Sequence, residues 1–188
     1  MPLALFQDAV ARNVSMLERA SDVALSHDGE TLNVRITNNS GHKLPTGYPE
    51  GRRMWINVRF RNAQGLLIAE HGAYDTATAT LTAGDTTVYE ADLGLDAAAA
   101  AATGLPEGPT FHFALNNMIV KDNRIPPRGF TNAGFESVQA QPVGASYADG
   151  EYWDDTSFPI PCAAASVVVR VLHQTTSREY IEFLRDEN

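Results

Sequence analysis

At 188 residues, 44% of them hydrophobic, the chain is long enough for one domain with a buried core and short for two. A formal net charge of -9 and a pI near 4.9 exclude a nucleic-acid surface, which needs clustered Lys and Arg to displace counterions. Cys162 is the one cysteine, so an internal disulfide, a zinc site on paired thiolates and a Cys-x-x-Cys-His covalent haem attachment are all excluded.

The first segment predicts a helix, because Phe6, Val10, Val14 and Leu17 fall on one stripe of a 3.6-residue period. That helix either packs on the flank of the domain or connects it to a neighbour. The N-terminus has no basic segment followed by a long apolar run, so no signal peptide is expected in this sequence. No run approaches the roughly 20 apolar residues of a membrane span. From Val23 the period becomes two. Val23 and Leu25, a turn at His27 to Glu30, and Leu32, Val34 and Ile36 predict a hairpin with one wet face.

Met54, Ile56, Val58 and Phe60 predict a longer strand, followed by a turn at Asn62 to Gly65 and a strand from Leu66 to His71. Further strands are expected over Thr76–Leu81, over Thr86–Leu93, through Phe111, Phe113 and Leu115, and through Val167, Val169 and Val171. Asp96 is placed to cap a short alanine helix that Gly104 stops. Residues 121–163 show little periodicity and are rich in Pro, Gly and aromatics. Thr176 to Glu179 fits a capping box opening a helix with Tyr180, Ile181 and Leu184. Cys162 reads as a small, buried apolar residue in or beside the last strand.

Seven or eight short strands without βαβ alternation predict a mostly β fold, an Ig-like or jelly-roll-like antiparallel sandwich with an N-terminal helix and short peripheral helices. Residues 1–20 are assigned to the helix or connector and 21–188 to the sandwich.

Motifs for catalysis are absent. No two histidines share an i, i+2 or i+4 spacing, which argues against a metalloprotease or cupin site. No Gly-x-Ser-x-Gly elbow is present, so an enzyme is not expected. Asp149, Glu151, Asp154 and Asp155 gather around Gly150, and hard oxygen ligands at close spacing suit calcium. Their spacing is not that of an EF-hand, and a solvated acidic loop is the competing reading.

Four segments carry a resemblance. They are Asn38 to Pro49 with its Gly41-His42-Lys43-Leu44-Pro45-Thr46-Gly47 centre, continuing through Arg52, Arg53 and Trp55; Lys121 to Phe130; Asp149 to Asp154; and Gln174 to Tyr180. Together they resemble the β-rich C-terminal domain of bacterial multihaem c-type cytochromes, where an Asn-x-x-Gly-His-x-x-Pro-Thr-Gly segment follows the haem-bearing region. Members of that family carry several Cys-x-x-Cys-His motifs upstream, and this sequence has none. The resemblance therefore implies an excised domain or a stand-alone relative without haems, a periplasmic or extracellular location in the bacterial envelope, and a haem-bearing domain or protein as partner.

It also implies a non-catalytic accessory or docking role in electron transfer, with haem c held elsewhere. The alternative is a stand-alone binding module for calcium, a polysaccharide or a protein. On the resemblance, His42 is an axial haem ligand. Gly41, Pro45 and Gly47 suit a rigid loop that presents one imidazole. The competing reading has both ring nitrogens bonded within the loop. Arg52 and Arg53 are candidate partners of haem propionates, or of the protein's own acids.

Overall fold

The computed structural model describes residues 3–187, and elements are numbered in chain order. Strands β1 (Ser21–His27) and β2 (Thr31–Asn38) form the expected hairpin. Asp28 Oδ1 closes its turn by accepting the backbone N–H groups of Glu30 and Thr31 at 3.0 and 2.8 Å. Gly29 takes the φ of 105° that a side chain would resist. Strand β10 (Trp153–Pro159) joins the other edge of β2. The result is a three-stranded sheet in the order β1-β2-β10.

The second sheet is built on β3 (Arg53–Arg61), which pairs along its whole length with β11 (Ser166–Gln174). Its other edge is divided between β4 (Leu67–His71) and β7 (Val88–Leu95). The far end of β7 pairs with β8 (Gly108–Pro109) and β9 (Met118–Asp122). A small separate hairpin joins β5 (Tyr74–Asp75) and β6 (Thr80–Leu81). Every pairing is antiparallel. The fold is therefore mostly β and sandwich-like, with an N-terminal helix and short helices at the periphery.

The core follows from the period-two pattern. Leu32, Val34 and Ile36 cluster with Met54, Ile56, Val58 and Phe60, and Leu44, Tyr89, Ile125 and Phe158 complete the group. Burying each large side chain contributes about 1.5–3 kcal/mol. The alternate face of β3 is buried as well. Trp55 Nε1 donates to the Gly72 carbonyl at 3.1 Å, and Asn57 Nδ2 donates to the His71 and Gly72 carbonyls at 3.1 Å each.

Helix α1 (Leu3–Glu18) forms where its stripe predicts it, but Phe6, Val10, Val14 and Leu17 are all exposed and α1 buries no residue. Packing on the flank is thus not what the structure shows. In α2 (Ala97–Thr103), Asp96 caps by accepting from Ala99 N, and Gly104 stops the helix at φ 77°. Helix α3 is Asn132–Glu136. Helix α4 (Arg178–Asp186) starts one residue later than expected, because Ser177 and not Thr176 is the cap, its hydroxyl accepting from Tyr180 N at 3.2 Å.

Other expectations are corrected. Residues 76–79 form a turn, fixed where Asp75 Oδ1 accepts from Ala77 N at 2.8 Å, and only Thr80–Leu81 is strand. Phe111 to Leu115 is a tight turn, with the N–H groups of Phe113 and Leu115 donating to the Phe111 and His112 carbonyls at 2.8 Å each; the strand begins at Met118. Strand β10 lies inside the stretch read as irregular. Cys162 is exposed in the turn before β11, with no apolar surface closing over it.

Candidate functional site

The loop from Asn39 to Arg52 joins β2 to β3, and the Lys121 to Pro127 segment fixes its shape. Leu44 and Ile125 form an isolated antiparallel bridge, N to O 2.9 and 3.0 Å. Asn38, 1% exposed, donates from Nδ2 to the carbonyls of His42, Ile125 and Pro126 at 2.8, 2.9 and 2.9 Å. Its Oδ1 accepts the backbone N–H of Ser40 at 2.8 Å and the Ser40 hydroxyl at 2.7 Å. One buried amide thus ties two sequence-distant segments together and holds the backbone at His42. Gly47, at φ 89°, leaves the space that the Arg52 guanidinium fills.

Lys43 follows His42 and turns inward, its Nζ 2.8 Å from Asp122 Oδ2. Arg124 grips the same carboxylate with Nε at 2.8 Å and Nη2 at 2.7 Å. Burial alone would push the Asp122 carboxyl up, but Arg124 and Lys43 outweigh it and hold the group below its ordinary value. Burial pulls the Lys43 ammonium down, against the opposing pull of Asp122. Two cations therefore share one anion, leaving a net positive charge in a strongly acidic protein.

His42 itself is exposed, and its ring has no partner among the described residues. The reading in which both nitrogens bond the loop does not describe this structure; the loop is bonded through the His42 carbonyl instead. The imidazole lies on the wall of an open groove of about 510 Å³, with Lys43, Arg124, Pro127 and Phe135 among its lining residues. Lys43 Nζ sits 5.7 Å from the centre of the Phe135 ring. Phe135 is carried by α3, whose buried anchor Phe130 packs on it at 4.8 Å.

Arg52 and Arg53 do not line this groove. Arg52 Nη1 donates to the Thr46 carbonyl at 2.7 Å and braces the loop from behind. Arg53 Nε donates to Gln174 Oε1 at 2.8 Å, and its Nη2 lies 3.5 Å from Glu179 Oε2. The reading in which Arg53 pairs with one of the protein's own acids is the observed one.

The four acids around Gly150 are spread over four separate partners. Asp149 accepts from Asn132 N at 2.8 Å and so positions α3. Glu151 accepts from Ala148 N at 2.7 Å. Asp154 accepts the Tyr89 hydroxyl at 2.7 Å, and burial pushes its carboxyl up. Asp155 is clasped by Arg35 at 2.8 and 2.6 Å. Among the described residues, no three His, Cys, Asp or Glu side chains come together in a way that could hold a metal ion.

Sequence reasoning missed Glu50 and Asp92. Glu50 is 3% exposed, and its Oε1 has no hydrogen-bond partner among the described residues. Burial, reinforced by nearby Asp92, pushes its carboxyl up. A carboxyl raised in the fold favours the folded state below the ordinary carboxyl range, and that benefit is lost as pH rises through the raised value. Glu50→Gln, neutral throughout, is therefore expected to melt higher than the wild type at pH about 8, with the gain disappearing near pH about 4. Melting curves at both pH values check this, and a gain independent of pH contradicts it.

No family model and no curated protein matches the chain. Among solved structures, the fold is similar to that of a penta-heme cytochrome c552 from Thermochromatium tepidum, at 17% sequence identity and a TM-score of 0.55. The likeness covers 93% of this chain and 37% of that one, so the chain spans little more than a third of the length of its structural neighbour.

Proposed function

We propose that the chain is a non-catalytic docking domain in envelope electron transfer, and that His42 supplies an axial ligand to a haem c carried by another domain or a partner protein. The observation that carries this reading is the exposed, unbonded His42 imidazole on a backbone fixed by Asn38 and by the Leu44–Ile125 bridge. An axial ligand must be held in orientation before the metal arrives, and neutral imidazole is the commonest metal ligand in proteins.

The groove suits the rest of a haem. Pro127 and Phe135 offer apolar contact to a porphyrin edge, while Lys43 and Arg124 offer charge to its propionates. This moves the propionate role away from Arg52 and Arg53, whose guanidinium groups face elsewhere. The haem supplies the redox centre; the residues of this chain orient, ligate and shield it. The fold shared with part of a penta-heme cytochrome supports the same reading. A periplasmic or extracellular location goes with it. Among the described residues, no helix is long and apolar enough to cross a membrane.

A ferric haem c peptide with one open axial position is the test probe. Binding is followed by quenching of the Trp55 and Trp153 fluorescence. The ferric peptide is expected to bind at least about tenfold more tightly than its metal-free porphyrin counterpart, a difference of about 1.4 kcal/mol. Equal binding of the two would show apolar adhesion without ligation and would overturn the proposal.

A further inference from the structure

Helix α1 stands apart from the rest of the fold: it runs for 16 residues and buries none of them. An isolated helix of that length is marginal in water, because most helical stability in proteins comes from packing an amphipathic face. Leu3, Phe6, Val10, Val14 and Leu17 form such a face, and all five are exposed. Two residues, Arg19 and Ala20, separate α1 from β1. There Val23 and Leu25 pair with Ile36 and Val34 and share their core-facing side, yet they remain 41% and 48% exposed. Uncovered apolar surface on two successive elements marks an interaction site.

The stripe on α1 is its own complement. Leu3 and Phe6 stand seven and four residues before Val10, and Val14 and Leu17 stand four and seven after it, so the spacing reads the same in both directions. A second α1 laid antiparallel about a two-fold axis at Val10 sets Phe6 level with Val14, and Leu3 level with Leu17, of the other copy. Charge agrees with this pairing. Asp8 and Arg12 fall on the opposite side of the helix, and Glu18 stands beside the end of the stripe. Antiparallel pairing brings each Glu18 level with the first turn of the other helix, whose dipole favours a carboxylate. The stripe itself is uncharged, so two copies of a chain with net charge -9 meet there without opposing like charges.

We propose that α1 pairs with α1 of a second copy of this chain, in an antiparallel two-fold seam centred on Val10, to which the uncovered face of β1 adds area. The helix is about 24 Å long and about 10 Å across, so one side of it offers on the order of 400 Å². Two helices bury about 800 Å² between them, in the range of weak, transient interfaces below roughly 1,200 Å². The dimer is therefore reversible, with a dissociation constant on the order of 10–100 μM. It does not require the haem-docking role.

Sedimentation equilibrium of the full chain between about 5 and 500 μM tests the proposal, and a reversible monomer–dimer equilibrium is expected. Val10→Asp sets two carboxylates against each other at the two-fold axis and should weaken the dimer by at least about tenfold. In a Cys162→Ser background, Val10→Cys should give a disulfide-linked dimer on mild oxidation, whereas Asp8→Cys, on the far side of the helix, should not. If Val10→Asp fails to fold, the cross-linking pattern decides. A monomer at the highest concentration overturns the proposal and leaves the stripe to a different protein. So does a dimer that folded Val10→Asp does not weaken, or cross-linking at residue 8 as efficient as at residue 10.

Discussion

Replacing Asp122 by Ala is expected to cost about 3–5 kcal/mol of folding stability, the range for breaking a buried ion pair by removing one partner. Asp122 is almost wholly buried and, among the described residues, is the carboxylate that compensates both Lys43 and Arg124. Without it, the ammonium of Lys43, whose side chain is 7% exposed, keeps its desolvation and loses its counter-charge. The change also breaks the joint between β9 and the His42 loop, where Lys43 Nζ donates to Asp122 Oδ2 at 2.8 Å; the backbone bridge from Asp122 to Val143 is retained.

Urea unfolding of the variant at neutral pH should show a lower midpoint with an unchanged slope. The depressed carboxyl fixes the pH dependence. Its contribution is present above the ordinary Asp range and is lost as pH falls through the lower folded value, so the gap between variant and wild type narrows in acid. Asp155→Ala makes the contrast, because its bidentate pair with Arg35 is half exposed and solvent-screened, and such pairs contribute little. A loss at Asp122 no larger than at Asp155 would remove the triad from the description of the loop.

Much of the fold was legible because period-two alternation marks extended strands, whose successive side chains point to opposite faces. The hairpin of β1 and β2, the central strand β3 and the closing strand β11 all appear where the period-two pattern places them. Strand β10 was not legible, and its register explains why. Asp154, Thr156 and Phe158 stand opposite Ile36, Val34 and Leu32, so two polar residues occupy inward positions. They are satisfied inside, Asp154 by the Tyr89 hydroxyl at 2.7 Å and Thr156 by Thr87 at 3.1 Å. An inward polar residue with a partner erases the pattern without harming the strand.

The error at Phe111 to Leu115 has the opposite cause. Those residues alternate, yet their rings serve an aromatic cluster and not a sheet. Phe113 meets Tyr48 at 6.0 Å, and Phe111 meets Tyr180 and Phe183 at 5.1 and 5.6 Å. The four segments quoted for the family resemblance do gather around one loop. Arg128 of the second lies 4.9 Å over Tyr152 of the third, and Tyr180 of the fourth shares a 3.2 Å hydroxyl contact with Tyr48 of the first. What sequence spacing cannot show is that Asn38, Lys43 and Asp122, and not Pro45 alone, fix the loop. Those contacts join residues about 80 positions apart in the chain.

His42→Ala is expected to leave the fold intact. The ring is exposed and has no partner among the described residues, and the loop is held through backbone groups that Ala retains. Unchanged circular dichroism and melting temperature are therefore the first expected result. The visible absorption spectrum of the ferric haem c peptide, titrated with wild type and with His42→Ala, is the decisive measurement. With the wild type, the imidazole should fill the open axial position and convert the peptide from its high-spin to its low-spin spectrum. With His42→Ala the peptide should stay high-spin at every concentration, even if the apolar groove still adsorbs it weakly. Full low-spin conversion by the variant, or none by the wild type, would contradict the assignment of His42 as the ligand.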